Sequence, residues 1–536
     1  MTLCLRCHTI QVYNLLSEGT AITNGNPILS RQKIVYIFAV IAVVVVISFL
    51  YWPSMSQGFF CDDYLYLNLI RPPASGLASL AWIATGIPAS EFHGYFRPLH
   101  DLIFAIIFRL SEGAYLQHAI NVILHILNAL LIVLFCRRFF SSQWAGVIAA
   151  LTFGIWPYHA QVVTWVSGRA DLLSTFFFLI GLLFFDNFLI RKRHSVMWMI
   201  FAVIAAAAAL ASKEAALAFP FVCATLAVYR AAERSQPVKN AIMKSLKQSI
   251  PLYAVALIFV LLRIFFANKK PMVLNRLGFA HLPANIVKAH LAWFFRVLPG
   301  YSFGVWAQIV FGLCFLSFFL WAIINSFQEN SANKNTFFRS AIYLSIIHFI
   351  MLAPAFFFVG WPGVDLQRSR FFYLPSAAFA FILGAVMNLI FMRSRPIKTK
   401  LVIAALAVFW GIVFSAAWIH VQAYCKAAKV FNVTLNEFYN VYPRDSGRPA
   451  AIFLPSEKRG VPVFTYGFPE AVRLHCPWTG KPPDAKVYPL EKFINPKLIQ
   501  KLLEKNYAIL VFDGTDEKLH LFKQDADNGN VDQKTL

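Results

Sequence analysis

Two adjacent aspartates, Asp62 and Asp63, stand about ten residues beyond the first long apolar run of the chain. Neighbouring carboxylates perturb each other's proton affinity, so one can act as a general base while its partner tunes it or holds a cation. A solvated pair capping the next helix would satisfy the same spacing. Five cations recur downstream: Arg97, Arg169, Lys213, Arg368 and Arg370. Taken singly, each is a side chain that snorkels to a membrane surface. As a set they suit a phosphate or diphosphate, whose oxygens match the guanidinium fork. His93, His159, Asp171, Glu214 and Tyr373 are the remaining candidates for substrate contact, with His159 lying between Trp156 and Trp165. No metal or cofactor is demanded, although Asp62, Asp63 and His159 leave a divalent cation (Mg or Mn) open.

A second polar group is periodic. His118, Asn121, His125 and Asn128 recur at spacings of three, four and three, which places them along one helix face. The two histidines are two turns apart, about 10 Å, too far to ligate one metal from this helix alone. The stripe therefore reads as interhelical hydrogen bonding inside a bundle. Cys4-Leu-Arg-Cys7-His8 matches the c-type haem attachment pattern. It precedes the first apolar run on the side expected to be cytoplasmic, so no haem is expected. Cys425 and Cys476 fall in the polar tail, where export would permit a disulfide.

The elements that carry these residues are membrane spans. Of 536 residues, 59% are hydrophobic and 14% charged, against about 25% charged in soluble proteins. The net charge of +23 does not indicate nucleic acid, because basic clusters alternate with long apolar runs and mark topology instead. Residues 34–52 follow Arg31 and Lys33 and lack a small-residue cleavage site, so an uncleaved anchor with a cytoplasmic N-terminus is expected. Further spans are predicted at 116–136, 143–157, 172–190, 195–211, 215–229, 249–267, 302–325, 338–358, 372–392 and 400–420, giving roughly eleven helices.

The segment 99–109 offers about 16 Å of helix for a hydrocarbon core of roughly 30 Å and carries His100 and Asp101 in its first turn. It is expected to lie at the membrane surface. With it excluded, the connections at 137–138, 191–193, 230–247, 334–339 and 393–400 all fall on the cytoplasmic side and all are basic. One exported loop, holding Lys269, Lys270, Arg276, Lys288 and Arg296, breaks the rule. Either it meets anionic headgroups or phosphate, or the boundaries there differ. The candidate residues collect on the exported face, where ionisable groups beside a bilayer usually have a task.

The predicted organisation is a cytoplasmic tail at 1–32, a transmembrane catalytic domain at 33–421 and an exported α/β domain at 422–536. Strands are expected at 450–454, 461–466 and 507–512, with a helix at 496–505. The Walker, Rossmann and H-E-x-x-H motifs are all absent from the sequence, which argues against a soluble nucleotide donor and fits a site on the exported face, where a lipid donor would need no nucleotide pool.

The pieces CDDYLYLN, YFRPL, HAINVILHILNALL, PYHAQVVTWVSGRADLL, ASKEAA and RSRFFYLPS occur in that order across about residues 30–380. Together they resemble the GT-C superfamily of polyprenyl-phosphate-sugar-dependent glycosyltransferases, which use dolichyl or undecaprenyl carriers. The nearest branch is that of protein O-mannosyltransferases and TMTC proteins. Family members often carry an acidic residue where Gln161 stands, and the tail shows no tetratricopeptide array. The resemblance implies a GT-C fold in which one carboxylate of the Asp62–Asp63 pair deprotonates an acceptor hydroxyl. That hydroxyl inverts the anomeric carbon as polyprenyl phosphate leaves. Arg97, Arg169, Lys213, Arg368 and Arg370 would bind the donor phosphate, and a protein or envelope glycolipid would be the acceptor. A bacterial inner membrane with a periplasmic C-terminal domain is the expected location. A transporter or lipid-linked-sugar flippase is the competing reading, although no repeated halves are evident.

Overall fold

The computed structural model describes residues 31–522 apart from 71–76, 87–94, 141–142, 192, 267–281, 299, 328–330, 359–368, 394–395, 444–446, 459–460, 465 and 477–481. The Cys4–Cys7 motif, His93 and Arg368 lie outside the described residues. The chain divides between Ala42 and Val43, within the helix Arg31–Tyr51. All that follows concerns the unit from Val43 onward.

Among the described residues, nine helices are long and apolar enough to cross a membrane. A tenth is reached if the bent pair Gln143–Gly154 and Pro157–Thr164 counts as one span, and a shorter apolar stretch, Arg339–Ala353, lies within the helix Ser331–Phe358. These eleven elements coincide with the eleven predicted spans, so the protein is a multi-pass membrane protein. The helix Pro98–Leu110 has thirteen residues, about 20 Å of rise, and is not among the candidate spans.

The predicted span 143–157 is broken. Its first half ends at Gly154, and Pro157, which has no N–H to donate, opens the second at an angle of 51°. A backbone carbonyl freed by such a break needs a partner inside a bilayer; the polar stripe gives one to Gly154 O and ties the same helix to the segments that follow. His125 Nε2 meets Gly154 O at 3.0 Å, Asn121 Nδ2 donates to Trp165 O at 2.9 Å, and Asn128 Nδ2 donates to Leu172 O at 3.1 Å. All four stripe residues are buried.

In the basic exception loop the chain forms a helix, Leu282–Phe295, that the sequence reading did not anticipate. Its Trp293 is buried against Trp156 and Phe379, with ring centroids 6.0 and 4.8 Å away. Tyr158 Oη donates to Ala292 O at 2.6 Å, so the helix braces the bent pair. Lys288 is exposed and Arg296 donates to Gln308 at 3.2 Å; Lys269, Lys270 and Arg276 lie outside the described residues.

The last helix runs from Pro396 to Val441, 46 residues, about 69 Å at 1.5 Å per residue. Residues 422–441, assigned by sequence to the exported domain, thus continue the final span. The sheet proper begins at Ala450. Strands β1 (Ala450–Leu454), β4 (Ala485–Pro489), β5 (Ala508–Asp513) and β6 (Lys518–Leu521) form it in the order β4-β1-β5-β6, with β6 antiparallel. The predicted strand 461–466 shrinks to β3 (Val461–Pro462), paired with β2 (Glu457–Lys458). The helix Pro496–Glu504 covers Ala451, Phe453 and Ile509 with Ile499 and Leu502. The sheet is tied to the long helix by Phe431 against Phe464 and Phe468, at 5.6 and 5.3 Å, and by Tyr439 Oη on Val472 O at 2.9 Å. Cys425 and Cys476 are free thiols, and Cys425 Sγ accepts from Gln57 Nε2 at 2.9 Å, so no disulfide links them.

At the far end of the bundle, Asp186 is fully buried and pairs with Arg138 at 2.5 Å and Arg230 at 2.8 Å. The helix Arg169–Ile190 carries Arg169 and Asp186 seventeen residues apart, about 26 Å along its axis. The basic connections and the aspartate pair therefore occupy opposite faces.

Candidate active site

The turn before the helix Asp63–Ile70 separates the two aspartates. Cys61 adopts φ 52°, a left-handed conformation uncommon outside glycine. Asp62 O then accepts the Leu65 amide at 3.0 Å and opens the helix. Asp63 is fully buried, and both its oxygens are taken by the backbone: Ser167 N at 2.9 Å on Oδ1 and Phe60 N at 3.2 Å on Oδ2. Burial pushes its carboxyl up to about 7, against the pull of those amides. Asp62 is half-buried. Burial raises its carboxyl too, opposed first by Arg370, then by the Cys61 thiol at 3.9 Å and by Arg97.

The cations around Asp62 differ in what they already hold. Arg97 forms a two-pronged pair with Glu214, at 3.1 and 2.8 Å, and lies over the Tyr95 ring at 4.4 Å. Arg263 adds a second guanidinium 4.0 Å from Glu214. Lys213, in the turn between two spans, is buried with Nζ 2.5 Å from Asp171 Oδ1. Burial lowers its ammonium to about 8, with Asp171 opposing. Arg370 is half-buried, and among the described residues no carboxylate lies within ion-pair distance of it. Its guanidinium sits 6.0 Å from the Trp165 ring and 5.8 Å from that of Phe371. The Arg370 amide and Ser369 Oγ donate to Gln161 Oε1 at 3.1 and 3.2 Å, so the amide oxygen of Gln161 anchors this turn where the resembled family often has a carboxylate.

Three candidates sit deeper than the sequence suggested. Arg169 is fully buried and donates to Asn121 Oδ1 at 2.9 Å and to Gln117 Oε1 and O at 2.5 and 2.7 Å. Its fork is consumed by the helix Ala114–Phe140. His159 belongs to the bent pair rather than to a loop. It is fully buried, with Nε2 2.7 Å from Ser376 Oγ and its ring 4.5 Å from Tyr373. Tyr373 Oη meets His125 Nδ1 at 2.7 Å and Asn128 Nδ2 at 3.2 Å. Among the described residues, the side chains close enough to share a metal are Asp513, Asp516 and His520, on the β5–β6 hairpin. Asp62, Asp63 and His159 do not converge on one point, so they do not fit a three-ligand cation site.

Sequence reasoning missed Tyr66, His100, Asp101 and Arg263. Tyr66 stands one helical turn beyond Asp62, its ring 4.9 Å from that of His100. His100 Nδ1 lies 2.9 Å from Asp101 Oδ1; burial, then Arg169 and Arg97, hold this imidazole neutral. The four-residue spacing of Asp62 and Tyr66 was the available signal.

Comparison with known proteins agrees with the motif resemblance. Over 224 residues the chain is 31% identical to the mouse protein O-mannosyl-transferase TMTC3, covering 39% of this chain and 24% of that protein. Over 140 residues it is 31% identical to human TMTC1, covering 24% and 16%. The chain thus spans about a quarter or less of the length of these curated relatives. No family model matches. Among solved structures, the apo oligosaccharyltransferase of Archaeoglobus fulgidus aligns with a TM-score of 0.45 at 11% identity, over 89% of this chain and 69% of that one. ArnT from Cupriavidus metallidurans bound to undecaprenyl phosphate aligns at 0.36 and 14% identity, over 90% and 93%.

Proposed function

We propose that the protein is a GT-C-type glycosyltransferase that moves a monosaccharide from a polyprenyl-phosphate donor to a hydroxyl acceptor, inverting the anomeric carbon. The observation that carries this reading is a half-buried Asp62 whose carboxyl feels the charge of Arg370, a guanidinium with no carboxylate within ion-pair distance among the described residues. The similarity to O-mannosyl-transferases supports it. Asp62 takes the proton of the acceptor hydroxyl, and the oxygen attacks the anomeric carbon opposite the phosphate. The bond from that carbon to the phosphate oxygen breaks, and polyprenyl phosphate departs with its electron pair. Arg370, together with Lys213 and Arg97, stabilises the charge that develops there. Phosphate leaves readily without a proton, so a second carboxyl acting as acid is unnecessary, unlike in a glycosidase pair. Asp63 positions the base rather than serving as one. A divalent cation, if used, would take Asp62 as its carboxylate ligand and supply positive charge, because Asp63 already accepts two amides.

In this reading the Asp62 face is exported, the N-terminus is cytoplasmic and the sheet domain is periplasmic in a bacterial inner membrane. The acceptor is a protein or an envelope glycolipid. The test is release of polyprenyl phosphate by purified protein from a panel of polyprenyl-phosphate sugars, with envelope extract as acceptor. Release that vanishes in Asp62→Asn is expected. Absence of release with every donor would replace this reading by that of a lipid-linked-sugar flippase.

A further inference from the structure

The turn that carries Asp62 is held from outside the bundle. Gly467, in the sheet domain, has φ +79° and packs on the Cys61 carbonyl. A Cβ built at Gly467 would overlap Cys61 O and lie 2.7 Å from its carbonyl carbon. Glycine is thus required twice, by conformation and by space. The neighbouring Tyr466 amide donates to the Cys61 thiol. Two left-handed residues, Cys61 and Gly467, therefore meet backbone to backbone, one residue before the aspartate pair. Around them Tyr64 stacks on Phe431 at 5.4 Å and meets the His475 ring edge-on at 5.5 Å. Phe431 in turn packs on Phe464 and Phe468, which flank Tyr466 and Gly467 in sequence. Cys61 and Gly467 are buried, whereas Tyr466 is exposed, so the contact uses the Tyr466 backbone and not its ring.

We infer that the Tyr466–Gly467 turn is a positioning element of the active site, a strap from the sheet domain that fixes Cys61 and thereby aims the Asp62 carboxylate at the acceptor. This inference rests on the glycosyltransferase reading for its consequence but on the contact alone for its geometry. The left-handed backbone of Cys61 is strained for a residue other than glycine and persists only where surroundings over-determine it. The strap is that surrounding. It divides the labour between the two halves of the protein: the bundle holds Asp63 through Ser167, and the sheet domain holds Cys61 through Gly467.

The experiment uses the full chain with Gly467→Val and Tyr466→Ala. Gly467→Val lifts the strap, and a displacement of the base by about 1 Å lowers kcat by up to about a hundredfold, with the donor KM within about twofold of the parent. Here kcat is counted per folded, monodisperse protein, so a loss of folded protein does not mimic its fall. Maleimide labelling of Cys61, read by peptide mass spectrometry, rises about tenfold or more as local opening becomes easier. Tyr466→Ala keeps its backbone amide and leaves Cys61 labelling at the parent rate. Parent-like labelling and kcat in Gly467→Val would overturn the inference. Should the parent show no transfer with any donor, the functional reading fails, and Cys61 labelling alone still decides whether the strap exists. If Gly467→Val does not fold, hydrogen exchange on the parent chain decides. Residues 61–67 and 466–474 exchanging as one unit support the strap, and independent exchange overturns it.

Discussion

The Ser167 amide lies 2.9 Å from Asp63 Oδ1, joining the turn that carries the aspartate pair to the turn that precedes the helix Arg169–Ile190. That bond, with the Phe60 amide on the other oxygen, explains why two adjacent aspartates do different work. Asp62→Asn should lower transfer by about a hundredfold to ten-thousandfold while leaving the thermal midpoint near the parent value. Asp63→Asn presents an N–H to an N–H and should cost about 1–3 kcal/mol of stability. Turnover assays paired with thermal unfolding of both variants separate the two roles, and equal loss of stability would refute the division.

Asp63 also predicts a pH dependence of stability. Its carboxyl is pushed up from 3.8 to about 7 in the folded chain. Between those values the unfolded chain releases a proton that the folded chain retains, so the Asp63 contribution is fully present below about 4 and is lost as pH rises through about 7. Asp63→Asn should remove that slope, measured as the thermal midpoint from pH 4 to 8 in detergent.

Lys213 sets an alkaline limit. Its ammonium, lowered to about 8 chiefly by burial, loses its charge just above neutrality, and the developing phosphate charge loses support with it. Activity should fall above about pH 8. Lys213→Arg, which stays charged, should move that limb upward even if kcat declines. A limb that stays at the parent pH would remove Lys213 from the reaction.

Arg370 and Arg169 should respond in opposite ways. Arg370→Ala removes a guanidinium that has no carboxylate partner among the described residues and should lower kcat by about a hundredfold to a thousandfold with little change in melting. Arg169→Ala strands Gln117 and Asn121 and should unfold the protein before its kinetics can be read. A folded Arg169→Ala variant with selective loss of donor affinity would reverse this assignment.

Asp186 gives a prediction free of catalysis. Removing a buried partner of two guanidiniums costs about 3–5 kcal/mol, so Asp186→Ala should depress the melting temperature sharply. Any protein that remains folded should retain the parent KM.

The spans were legible because composition and charge act locally: each predicted apolar run has its counterpart, and the short helix Pro98–Leu110 stays outside the set of spans. The stripe from His118 to Asn128 was legible for the same reason, since helical period fixes which residues share a face. His159 was not. Its sequence neighbours read as a polar loop, but its partner Ser376 is 217 residues away, and only the packed bundle brings the two together. Arg169 and Arg370 are the same residue type on one face, and sequence does not reveal that Gln117 and Asn121 saturate the first. The last helix ran past its predicted end because aromatic residues after His420 pack on the sheet domain, Phe431 on Phe464 and Phe468, while Lys426, Lys429 and Asn436 stay exposed.

That helix is also a ruler. It carries the backbone without interruption from Pro396 to Val441, and a helix advances by about 100° of rotation for each residue. A single residue inserted between the end of the membrane and Phe431 would swing Gly467 around the axis by that angle and away from Cys61. Seven inserted residues would restore the azimuth but raise the strap by about 10 Å. Length changes in this stretch are therefore forbidden at every step, whereas loops of the sheet domain away from the Tyr466–Gly467 turn are free to grow or shrink.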